Sequence, residues 1–133
     1  DHPFVLGALS FVPGPGADTN TMRHTLDWVW NYWNWPDTWG WDYPMMAMTA
    51  ARLGEPERAV DALLLDTPKN HYGFNGNVYQ RPGLTCDLPA NGGLLYAVAL
   101  MAAGWDGAPK RNAPGFPDNG QWNVRWENLC VAP

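Results

Sequence analysis

Six of the nine tryptophans in this chain fall between Trp28 and Trp41, interleaved with Asp27, Asn31, Asn34, Asp37 and Asp42. A pyranose ring has an apolar face that stacks on indole and hydroxyls that need donors and acceptors, so this mixture suits a sugar. The competing explanation is an aromatic-rich core edge, since each ring can bury ~150–250 Å². A run this dense cannot all face one interior, and Trp35, Asp37, Trp39 and Trp41 are expected to line a carbohydrate cleft. Asp42 is the strongest catalytic candidate, because it opens the most apolar helical segment of the chain. There its carboxylate meets unpaired backbone N–H groups and the positive end of the helix dipole. That setting suits accepting a proton or orienting water, not donating a proton; a plain cap or dipole partner is the alternative. Asp37, after Pro36, is either a turn residue or a partner for sugar hydroxyls.

A second set of polar side chains lies in the stretch Asn75-Gly76-Asn77-Val78-Tyr79-Gln80-Arg81. Asn75, Asn77, Tyr79, Gln80 and Arg81 all donate or accept hydrogen bonds and are expected to touch substrate; a structured turn built on Asn and Gly is the alternative. Arg81 suits bidentate pairing with a uronate or a protein carboxylate. Cys86 and Cys130 have no metal-ligand spacing, and His2, His24 and His71 lie far apart with no motif around them. Neither a metal nor a cofactor is therefore expected, and both thiols are expected free.

The formal net charge is −5, and the basic residues are few and form no stripe along any helical segment. Nucleic acid and an anionic membrane surface are therefore poor partners, and no apolar run approaches the ~20 residues of a membrane span. The chain opens DHPFVLG, on a polar dipeptide followed by a strand-like apolar run and with no initiator Met. This suggests a removed leader or a segment of a longer protein.

Helical elements must position these groups. Asp18 or Thr19 caps a helix running to about Trp33, with Met22, Leu26, Val29, Trp30 and Trp33 recurring at helical spacing. After a Trp-, Gly- and Asp-rich loop, Pro44 lies in the first turn of a helix carrying Met45, Met46, Met48, Ala50, Ala51 and Leu53, apolar nearly all round and so expected buried. Gly54 closes it. Residues 55–65 form an amphipathic helix with Pro56 near its start, and the two make an inner and outer helical hairpin. Residues 66–90 show no sustained period, and long loops of this kind are usually functional. Asn91 is expected to cap a further apolar helix ending at Gly104, and the alternation of Trp122, Val124 and Trp126 predicts a strand after an Asp118-Asn119-Gly120 turn.

The ordered set WGWDYPMMAMTAARLGEPERA, then LPANGGLLYAVALMAAGW, then a predicted strand resembles the C-terminal part of six-hairpin (α/α)6-toroid glycoside hydrolases, in particular the inverting α-L-fucosidase and α-galactosidase type. The family's Gly-Trp-Ser helix opening is matched by Gly40, Trp41 and Asp42. Its Ala-Arg-Leu-Gly helix end is matched by Ala51, Arg52, Leu53 and Gly54, followed by Arg58 and Ala59. Pro89, Ala90, Asn91, Gly92 and Gly93 occupy the place of its next inner-helix opening. The resemblance spans roughly residues 18 to 129 but only part of the family's domain. It implies a mainly α chain, with residues 1–113 forming helical hairpins of a partial (α/α)6 toroid and residues 114–133 a β tail belonging to a C-terminal β-domain. It also implies a cleft lined by inner-helix N-termini, with Asn91 facing substrate. Where the family has a water-activating Asp, this chain has Pro89; Asp87, two residues earlier, is the carboxylate that would substitute. No Glu reads as a general acid, so the resemblance places that group in another part of the toroid.

The functional expectation is part of a carbohydrate-active glycoside hydrolase, acting on an oligosaccharide or polysaccharide and completed by the remainder of the toroid. Such a hydrolase would favour a periplasmic or secreted location. A non-catalytic carbohydrate-binding or structural protein is the alternative that Pro89 favours. A polysaccharide lyase on the same toroid, using Tyr79, Arg81 and His71 near a uronate, is the third.

Overall fold

The computed structural model describes residues 2–133, and the chain is mainly helical. Four α-helices carry the architecture: α1 (Thr19–Tyr32), α2 (Asp42–Arg52), α3 (Pro56–Leu63) and α4 (Leu88–Ala103). Short 3-10 turns occur at Phe4–Leu9, Trp35–Asp37 and Pro68–Asn70. The segment Phe4–Leu9 is helical where its run of apolar residues suggested a strand. It buries Leu6 and Leu9 beside α1 and α2, and no neighbouring strand among the described residues is there to pair with it.

α1 begins where its sequence requires. The Asp18 carboxylate accepts from the Thr21 N–H at 2.7 Å and from the Thr21 hydroxyl at 2.7 Å, satisfying one of the unpaired donors of the first turn. Met22, Leu26 and Val29 form its buried stripe. α2 is the centre of the molecule: every residue from Asp42 to Ala51 is buried. A helix apolar on all sides needs partners on all sides. α3 folds back on it through Gly54, whose φ of +78° favours glycine. Across the hairpin, Arg23 of α1 pairs with Glu55, and Arg58 bridges Glu55 at 3.0 Å and Asp27 at 2.6 Å.

α4 crosses α2 on another side, and small residues set the approach. A methyl on Gly93 would sit 2.8 Å from Pro44 Cγ, and one on Gly40 would sit 2.8 Å from the Ala90 methyl. The helix begins at Leu88, three residues before Asn91. Pro89 fits the first turn, where its missing N–H costs nothing. Asn91 therefore lies within the helix, and its amide donates to Gly76 O at 2.6 Å.

After α4 the chain folds back. Gly115 packs so closely on Met101 that a methyl there would lie 2.5 Å from Met101 Cα, and its N–H donates to Met101 O at 2.9 Å. Phe116 and Ala132 join the same core as the helices. Segment 121–131 pairs in no ladder among the described residues; the tail's one bridge is the parallel contact of Ala132 with Trp105. The hairpin and strand expected from Asp118–Gly120 onward do not form among the described residues; the chain only bends there, where Asn119 Oδ1 accepts from the Gln121 N–H at 3.0 Å and Gly120 has a φ of +77°. No described helix is long and apolar enough to cross a membrane.

Candidate functional site

The close approach of Gly40 to Ala90 and of Gly93 to Pro44 sets the starts of α2 and α4 side by side. Asp42 is the first residue of α2, and Asp87 directly precedes α4. Forty-five positions apart in sequence, the two carboxylates share one buried environment, at 0% and 2% exposure.

Asp42 does not cap its own helix; it binds backwards into the preceding turn. Its Oδ2 accepts from the Thr38 hydroxyl and from the Trp39 N–H at 3.1 Å. The His2 Nδ1 lies 3.1 Å from Oδ1 and 3.2 Å from Oδ2. Thr38 in turn accepts from the Trp33 indole N–H at 3.3 Å. Asp87 is the opposite case, with its Oδ2 buried and without a partner among the described residues. Burial pushes the Asp87 carboxyl above its ordinary range, and the Asp42 charge pushes it further; the Gly40 N–H, His2 and Lys69 pull the other way. Tyr72 borders the same cluster. Its hydroxyl donates to Ala90 O at 3.3 Å, and burial, then the Asp87 charge, pushes it up to about 12.

Aromatic rings gather around the His2 that binds Asp42. The His2 imidazole lies 4.7 Å from Trp41, 5.5 Å from Trp39 and 5.0 Å from Phe4, centre to centre. The Arg81 guanidinium sits 5.7 Å from the Trp39 ring centre, a cation–π distance. Trp39, Trp41 and Arg81 are thus gathered with Asp42.

Other expected site residues are engaged elsewhere. Trp35 stacks on Tyr43 at 5.4 Å and donates its indole N–H to Trp30 O at 3.4 Å, packing against the core. Gln80 is buried with both ends bonded to backbone: Oε1 accepts from Gly40 N at 3.0 Å and Nε2 donates to Thr38 O at 3.0 Å. It holds the turn that carries Asp42's partners. Asn75 builds a turn by accepting from the Asn77 N–H at 3.1 Å, and Asn77 Oδ1 accepts from the free thiol of Cys86 at 3.4 Å. Tyr79 is exposed. The bridge between Tyr72 and Val78 sets His71 opposite it, with His71 bonded to Asp66 at 2.8 Å. Asp37 is exposed and lines a separate hollow with Trp28, Tyr32, Trp33 and Asn34.

His2, Thr38 and Tyr72 are the site residues that sequence reasoning did not select. His2 stands 40 positions from Asp42 and has no motif around it, so no local signal marks it. The long unpatterned loop was the one signal for Tyr72. No group of three or more His, Cys, Asp and Glu side chains placed to hold a metal ion occurs among the described residues. Comparison with family models, curated proteins and solved structures gives no match for this chain.

Proposed function

We propose that the chain supplies one wall of the cleft of a carbohydrate-active glycoside hydrolase, with Asp42 and Asp87 as its carboxylates. The observation that carries this reading is the pair itself: two buried carboxyl groups from the starts of two helices, in one electrostatic field, one fully bonded and the other with an unpartnered oxygen. Environments that treat two neighbouring carboxyls differently divide acid from base roles. In this scheme Asp42, oriented by His2, Thr38 and the Trp39 N–H, positions the attacking water. Asp87 adjoins it, with a carboxyl that burial and the Asp42 charge hold above its ordinary range. Trp39, Trp41 and Arg81 supply ring faces and a cation for the sugar. Asn75, Asn77, Tyr79, Gln80 and Asn91 form or brace the adjoining rim.

The same reading completes the fold as a partial (α/α)6 toroid followed by a β-domain. α4 is apolar all round, as an inner helix would be, yet Leu88, Leu95 and Val98 are exposed. An open apolar groove of about 400 Å³ runs past Val60, Leu64, Leu94, Val98, Phe116 and Trp122. Further helical hairpins would cover these faces, and a further strand would pair with the unladdered 121–131 segment.

A second reading, a non-catalytic carbohydrate-binding protein, is favoured by one observation: Asp42 is 0% exposed, with His2 lying over it. Aryl glycosides and neutral oligosaccharides, assayed with wild type, Asp42→Asn and Asp87→Asn, separate the two. Turnover lost in both variants, with sugar binding and fold retained, supports the hydrolase. Sugar binding without turnover in any form supports the binding protein. A product from uronate polymers that absorbs in the ultraviolet would instead indicate a lyase.

A further inference from the structure

α1 has two large aromatics that its packing does not use. Met22, Leu26 and Val29 face the core, whereas Trp28 and Tyr32, one helical turn apart, are 55% and 72% exposed. Trp28 lies 6.0 Å from Tyr32 and 6.2 Å edge-on from Trp33, centre to centre. As the chain leaves the helix, Asn34 and Asp37 close the same hollow, which has a volume of about 260 Å³. Trp33 is fixed from beneath by its bond to Thr38, so this wall does not depend on a bound ligand.

The chemistry of the lining selects the occupant. Ligand pockets for drug-sized molecules run about 300–1,000 Å³, so this hollow suits a single ring. An apolar side chain from a protein partner would desolvate the Asp37 carboxylate with nothing to pair it, which is costly. A phosphate or uronate would meet that carboxylate and a chain of net charge −5. A flat ring with uncharged hydroxyls stacks on the indoles and donates to Asp37 and Asn34. The neighbouring polar groups do not compete, because Asn31 donates to Asp27 O at 2.7 Å and Asp27 pairs with Arg58 at 2.6 Å.

We propose that Trp28, Tyr32, Trp33, Asn34 and Asp37 form a second carbohydrate-binding site, separate from the carboxylate pair, that takes one uncharged pyranose ring of a glycan. It shares no residue with the proposed hydrolytic pair, so either assignment survives the failure of the other.

The test is titration by indole N–H NMR with cellotetraose, xylotetraose and mannotetraose, with tetragalacturonate as the charged comparison. At least one neutral tetrasaccharide should shift the Trp28 and Trp33 indole signals. Trp28→Ala and Tyr32→Ala should each weaken it about tenfold with an unchanged melting temperature, while Asp42→Asn and Asp87→Asn leave it intact. The proposal is overturned if no neutral tetrasaccharide moves these signals. Preference for tetragalacturonate, or affinity unchanged in both folded aromatic variants, overturns it equally. Concentration-dependent self-association that Trp28→Ala abolishes would assign this face to a second copy of the chain instead.

Discussion

Asp87→Asn should make this protein more stable at neutral pH while removing its activity. Among the described residues, Asp87 Oδ2 is buried without a hydrogen-bond partner, and an unsatisfied buried group costs about 1–3 kcal/mol, more when charged. The Asn side chain carries no charge to desolvate and no repulsion toward Asp42, so the variant should gain roughly 1–3 kcal/mol near neutral pH. For a chain of this length that is about 3–5 °C of melting temperature per kcal/mol. The pH dependence has a definite sign. Burial and Asp42 raise the Asp87 carboxyl above its ordinary 3.8, so the folded state holds its proton more tightly than the unfolded state. The penalty is therefore absent below 3.8, grows as pH rises toward the folded-state value, and is complete above it. Urea unfolding followed by tryptophan fluorescence, at about pH 4 and about pH 7, should show near-equal stabilities at the acid end and a larger gap at the neutral end. A variant no more stable than wild type at neutral pH, or a gap that does not change with pH, would refute this account of Asp87. Stability gained with turnover lost is the pattern of a strained functional group.

The contacts that set the site give further expectations. Gly40→Ala drives a methyl to within 2.8 Å of the Ala90 methyl and 3.0 Å of both Lys69 O and Val78 Cγ1. It should cost about 1–3 kcal/mol in urea unfolding; an unchanged midpoint would mean the starts of α2 and α4 are looser than described. Gln80→Leu strips partners from Gly40 N and Thr38 O and should lower stability by about 1–3 kcal/mol per group left unsatisfied. A calorimetric melt within a degree or so of wild type would contradict that. The isolated chain should self-associate through α4, and Leu95→Lys with Val98→Lys should return it to monomer in analytical ultracentrifugation. A wild type that is monomeric at high concentration would count against an uncovered inner-helix face.

The helices were legible where a local signal and a tertiary demand agreed. The Met22–Leu26–Val29 stripe, the apolar run behind Pro44 and Pro56 at the head of α3 each point one way in sequence and in space, and of the two caps the sequence offers, Asp18 is the one used. The start of α4 was misjudged because Asn91 is a good cap in isolation. Pro89 is equally good in a first turn, and Asn91 finds a better partner in Gly76 O. Phe4–Leu9 looked like a strand because a short apolar run has no period of its own to decide between forms. Asp42 was legible as a helix-opening carboxylate, but its burial and its partners were not. His2 comes from the chain's first residues, and Gln80 reaches back 40 positions to Gly40. Such pairings are set by how the first residues and the loop after α3 pack on the start of α2, which no window of sequence contains. The tryptophan run divided three ways for the same reason: Trp30 and Trp35 to the core, Trp39 and Trp41 to the carboxylate cluster, Trp28 and Trp33 to the outer hollow.

The Gln80 amide ties together two stretches that have little regular structure of their own. The turn at Thr38–Gly40 and the loop after α3 are joined by one side chain that binds Thr38 O and Gly40 N at once. The two stretches are therefore expected to open as one cooperative unit. In amide hydrogen exchange, Gly40 should share the opening rate of the loop's buried Val78 and Asp87, and not that of α2, which it adjoins in sequence. A glycan that orders the loop would then also slow exchange at the turn beside Asp42, so substrate and carboxylate would be coupled through backbone they both borrow.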